Sequence, residues 1–154
     1  MTAITCDSMG YTAGAMPTAG AATRKRTTAR KARVVTRDFG NVFNVLRELL
    51  SPYECDLAVQ SDKPGHCWLE SRTPTYKNRP MYFAGVRLGK NYVSYHLMSV
   101  YACPELLKIM SPELKRRMQG KSCFNFTTID QDLFAELGKL TRAGYKKFKS
   151  MKYL

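Results

Sequence analysis

Apolar positions follow two different periods along this chain. Phe39, Val42, Phe43, Leu46, Leu49 and Leu50 recur every three or four residues, the stripe of an amphipathic helix. Asp38 stands where an N-cap would accept from the free N–H groups, and Ser51-Pro52 closes the helix. The period then drops to two. Cys55–Ser61 alternates through Leu57 and Val59, which predicts a half-buried strand. Asp62-Lys63-Pro64-Gly65 predicts a turn. His66–Ser71 follows as a second strand, with Cys67 and Leu69 on one side and His66, Trp68 and Glu70 on the other. Asn78-Arg79-Pro80 marks the next turn.

Met81–Leu88 and Tyr92–Met98 then flank Gly89-Lys90-Asn91 as the arms of a hairpin. A two-residue connection pairs Leu88 with Asn91 and Val86 with Val93. Tyr82, Ala84, Val86, Val93, Tyr95 and Leu97 then share one face, and Met81, Phe83, Arg87, Tyr92, Ser94, His96 and Met98 the other. A three-residue connection shifts this register and mixes the faces. Farther on, Pro104 opens a short helix through Met110. Ser111 caps another with Pro112 at its first position, and Gly120 stops it. Lys121–Phe126 is a fifth strand. Thr128 and Gln131 have capping-box spacing before a long helix whose stripe is Leu133, Phe134, Leu137, Leu140, Gly144 and Phe148. Gly144 suggests close approach to the sheet. Grouped strands with helices on one side predict an α+β domain: a mainly antiparallel sheet of about five strands, helices packed on one face and a long C-terminal helix.

Composition separates residues 1–37 from this domain. They are rich in Ala, Thr and Gly, poor in large apolar residues, and read as a disordered basic tail; residues 38–154 are the domain. Of the net charge of +13, the tail carries seven basic residues against one acid, and the domain 18 against 11, or +7. Such a surface concentrates anionic partners. The five cysteines are odd in number and form no Cys-x-x-Cys pair, which suits free thiols in a reducing cytoplasm. No apolar run reaches the roughly 18 residues of a membrane span.

Candidate chemistry is sparse. Gly120-Lys121-Ser122 superficially suggests a phosphate loop, but the earlier glycine is missing and the order is helix-to-strand rather than strand-to-helix. His66, Cys67, His96, Cys103 and Cys123 lack the close paired spacing of a zinc site. His96 and Cys123 would be the pair for a small Cys/His enzyme or a metal carrier, if adjacent strands bring them together. Carboxylates are scattered, so no acid–base pair is evident. No cofactor is called for.

Tyr82–Met98 (Tyr-Phe-Ala-Gly-Val-Arg-Leu-Gly-Lys-Asn-Tyr-Val-Ser-Tyr-His-Leu-Met) and Ser111–Phe126 (Ser-Pro-Glu-Leu-Lys-Arg-Arg-Met-Gln-Gly-Lys-Ser-Cys-Phe-Asn-Phe) resemble the YdhG-like family of small bacterial domains. The resemblance runs from about Val42 to Phe148 and implies an α+β domain with an antiparallel sheet. Some members resemble frataxin-like iron chaperones in proposed role. An iron carrier needs an acidic, oxygen-rich surface, and this domain is net basic, so no iron ligands carry over. The expectation is a cytoplasmic, non-enzymatic domain that binds an anionic ligand or protein through Arg87, Lys90, Tyr92, His96 and Lys121. Nonspecific nucleic-acid association through the Arg24–Arg37 tail is the alternative.

Overall fold

The computed structural model describes residues 38–154, so the expected disordered tail over residues 1–37 lies outside the described residues. Helix α1 (Phe39–Glu48) starts at Asp38, whose carboxylate accepts from the Asn41 N–H at 3.0 Å. Four strands then run as a meander: β1 (Ala58–Lys63), β2 (His66–Tyr76), β3 (Arg79–Leu88) and β4 (Val93–Leu97). A short helix α2 (Met98–Ala102), a 3-10 segment at Pro104–Ile109 and helix α3 (Pro112–Arg116) lead to β5 (Met118–Gln119) and β6 (Cys123–Phe126). Helix α4 (Gln131–Ser150) completes the fold. The six strands form one antiparallel sheet in the order β1-β2-β3-β4-β6-β5. The α+β class holds.

Strand alternation sorts the sheet into two faces. Cys67, Leu69, Ala84, Val86, Val93, Tyr95, Leu97, Phe124 and Phe126 point inward and are buried. Val42, Phe43 and Leu46 of α1 meet them, as do Leu133, Phe134, Leu137, Leu140 and Phe148 of α4, the stripe read from the sequence. One polar contact crosses this core: the Tyr95 hydroxyl lies 2.8 Å from the Thr141 hydroxyl, which donates to the Leu137 carbonyl. Thr141 thus leaves no lone polar atom inside.

Several local expectations are corrected. β1 begins at Ala58, later than Cys55. Leu57 precedes it and is buried, whereas Val59 is 40% exposed beside a bulge. The first hairpin turns tightly at Pro64-Gly65, with Gly65 at φ +80°. The second turns at Lys77-Asn78, both at positive φ, the type I′ geometry that matches strand twist. Between β3 and β4 the connection is four residues, because Leu88 pairs with Val93 and the Gly89 N–H donates to the Tyr92 carbonyl. This register differs from the expected one by two residues, a shift that by itself preserves the faces from Ala84 to Leu97. A bulge between Leu69 and Glu70 exchanges two side chains: Phe83 is fully buried and Tyr82 turns outward.

Beyond β4, Met98 starts a helix instead of ending the strand. Gly120, at φ +77°, does not stop α3 but turns β5 into β6, a sixth strand too short to leave a periodic signal. Asp130 rather than Thr128 caps α4, accepting from the Leu133 N–H at 3.2 Å. Gly144 faces α2 rather than the sheet; a Cβ there would fall 1.9 Å from the Ser99 hydroxyl oxygen.

Candidate functional site

Among the described residues, no helix covers the centre of the sheet's other face. That face holds a cavity of about 570 Å³ lined, among the described residues, by β2, β3, β4, β6 and the 89–92 turn. Cross-strand pairing explains its floor. Trp68 lies opposite Gly85, Gly85 opposite His96, and His96 opposite Cys123. The next row runs His66–Arg87–Ser94. Gly85 therefore leaves bare backbone between two ring-bearing strands. Tyr82 leans into that space, its ring centroid 4.3 Å from Trp68 and 5.0 Å from His96. A Cβ on residue 85 would stand 2.8 Å from the Tyr82 hydroxyl and 2.7 Å from the Cys67 carbonyl oxygen, so only glycine permits this packing.

The electrostatics are one-sided. Arg87 and Lys90 line the cavity, and no carboxylate does among the described residues. Four of the 18 cations in residues 38–154 form ion pairs, all away from the cavity: Arg47 with Asp62 and Glu54, Lys147 with Glu105, Lys149 with Asp56 and Arg116 with Glu113. Neither Arg87 nor Lys90 has an ion pair among the described residues. Burial pushes the Tyr82 hydroxyl well above the ordinary phenol range, so it stays protonated and can donate. Burial lowers the His96 pKa and favours the neutral ring. His96 Nε2 lies 2.7 Å from the Ser122 hydroxyl oxygen, which fixes the ring.

Four of the five expected residues, Arg87, Lys90, Tyr92 and His96, share this cavity. Lys121 does not line it; its ammonium sits 5.4 Å over the exposed Tyr101 ring. The turn that lifts β6 from β5 carries Lys121 away from the β3–β4 hairpin. Trp68, Tyr82 and Gly85 were missed as site residues. The β2 alternation sets Trp68 on the face opposite Cys67 and Leu69, but its neighbours depend on β2–β3 register, which local pattern does not reveal.

His96 and Cys123 are cross-strand partners, as an enzyme or metal carrier would require. Burial raises the Cys123 thiol above its ordinary pKa, which disfavours the nucleophilic thiolate. The His96 nitrogen within bonding reach of a side chain faces Ser122, which is 7% exposed and does not line the cavity. No cluster of three or more His, Cys, Asp or Glu residues suited to a metal ion occurs among the described residues. Cys67 and Cys103 are buried, whereas Cys55 is exposed. No helix among the described residues is long and apolar enough to cross a membrane.

No family model, curated protein or solved structure gives a significant match to this chain. The likeness to YdhG-like domains therefore rests on the two residue runs quoted above.

Proposed function

We propose that this domain is a cytoplasmic binding module for a small anionic ligand, held in the cavity on the outer face of the sheet. One observation carries the reading: a concavity of ligand size presents Arg87 and Lys90 and, among the described residues, no carboxylate. Arg87 can engage two oxygens of a phosphate or carboxylate at once, and Lys90 supplies a mobile point charge from the turn. The ring-lined floor lowers the local dielectric and strengthens both interactions. A YdhG-like family relation is compatible with this role, and the lack of carboxylates in the cavity among the described residues weighs against iron delivery.

Isothermal titration with pyrophosphate tests the reading. Binding that weakens with salt and falls about tenfold or more in Arg87→Ala, with the thermal midpoint unchanged, supports it. Pyrophosphate, phosphate and citrate all failing to bind the wild-type protein would remove it. Nucleic-acid association through the tail is a separate proposal, carried by the seven basic residues within 1–37. It predicts binding that declines steeply with salt and vanishes when those residues are deleted.

A further inference from the structure

The cavity contains more than an anion site, and its second half sets a ligand class. Resting on the anion-binding reading above, we propose that the ligand is of nucleotide type: a flat heteroaromatic ring joined to a phosphate.

Position along β3 divides the cavity. Arg87 and Gly85 point to the same face two residues apart, so their centres are separated by about 6.5 Å at the rise of a strand. At the Arg87 end stand the charges, with Lys90 entering from the turn and the Ser94 hydroxyl opposite Arg87. The Gly85 end is aromatic. Trp68 is 37% exposed and offers its indole to the cavity, while Tyr82 backs it at 4.3 Å and keeps it from rotating away. A planar ring can stack on such a fixed surface whatever its hydrogen-bonding edge, because every nucleobase has a π face. The Tyr82 hydroxyl makes no hydrogen bond to the described residues, lies over bare backbone at Gly85 and stays protonated. It is a donor for a ring nitrogen or carbonyl oxygen. A cation end and a stacking end about one sugar apart match a nucleoside monophosphate. Inorganic phosphate alone would leave the aromatic end unused.

Calorimetric titration of the full chain with AMP, inorganic phosphate and adenosine tests this. AMP is expected to bind at least about tenfold more tightly than either fragment, the gain of one stacked base. Trp68→Leu should lower AMP affinity about tenfold and leave phosphate unchanged, whereas Arg87→Gln should weaken both. Equal affinity for AMP and phosphate in the wild type overturns the ring subsite while leaving the anion site standing. Failure of AMP to bind overturns the nucleotide reading, and failure of pyrophosphate, phosphate and citrate as well overturns the anion site with it. Trp68 is the only tryptophan in the chain, so its emission gives a second measurement if Trp68→Leu does not fold. Quenching by AMP but not by phosphate supports the proposal, and emission indifferent to AMP overturns it. A (dA)6 strand presents the same unit in a polymer. Where its binding is also lost in Trp68→Leu, the tighter of AMP and (dA)6 identifies whether the unit is taken free or within a strand.

Discussion

Strand β3 displays two surfaces within a few residues. Phe83, Ala84 and Val86 are buried under α1 and α4, whereas Tyr82, Gly85 and Arg87 face a cavity on the other side. The inward residues fill space completely: Phe83 meets Tyr53, Tyr145 and Phe148 with ring centroids 5.6–6.0 Å apart. The outward residues leave space open, because Gly85 has no side chain and Arg87 has no acidic partner among the described residues. One face spends its side chains on packing; the other holds rings and cations in reserve for something else. Stability should therefore respond to changes on the inner face, and binding to changes on the outer.

Leu137→Asp puts an unpaired charge at a position with no solvent exposure. It should cost more than about 4 kcal/mol and abolish the cooperative thermal transition. A near-wild-type melt would mean the inner face is not the core. Phe83→Ala and Trp68→Ala set the two faces against each other directly. The first should cost about 3–5 kcal/mol by leaving a cavity. The second should cost about 1–2 kcal/mol, since Trp68 is partly solvated already. Equal losses in urea denaturation would erase the distinction. Gly85→Ala is intermediate, at about 1–3 kcal/mol, because its Cβ meets a backbone carbonyl that cannot move without shifting β2. It should also lower AMP affinity about tenfold by displacing Tyr82 from behind Trp68, and unchanged AMP affinity would show that the floor is not needed.

The smallest effect is a pH slope. His96 is held neutral by burial, so its folded pKa lies below the ordinary value of 6.5. The unfolded chain takes up the proton first as pH falls. The His96 contribution is thus fully present above pH 6.5 and is lost as pH falls from there to the lower folded value. His96→Asn should flatten stability across that window, and an unaltered slope in matched urea titrations would place its source elsewhere.

Much of the inner face is legible in the sequence because burial imposes a period. The α4 stripe and the β2 alternation needed no knowledge of neighbours. Face assignment in β3 and β4 survived an incorrect turn length, because a shift of two residues preserves parity. It failed at Tyr82 and Phe83, where a bulge invisible to pattern exchanged the two. β5 is two residues long and α2 five, both below the length at which periodicity distinguishes one element from another. For the cavity, Arg87, Lys90, Tyr92 and His96 come from one hairpin, so proximity in sequence implied proximity in space. Lys121 required knowing how β6 leaves β5. Trp68 and Gly85 required the β2–β3 register.

The sheet order also carries a kinetic consequence. β1 to β4 form three successive hairpins, whereas β6 must return to β4 across residues 98–122. Closing that connection of about 25 residues costs about 1.6 kcal/mol more in chain entropy than closing the four-residue turn before it. Local contacts form faster than distant ones, so the meander should assemble first and β6 dock afterwards. Nearly all of the cavity lies within His66–His96, with Cys123 alone contributed by β6. Refolding followed by pulsed hydrogen exchange should show the β2–β3–β4 amides protected before those of Cys123–Phe126, with the cavity gaining its last wall as the core closes behind it.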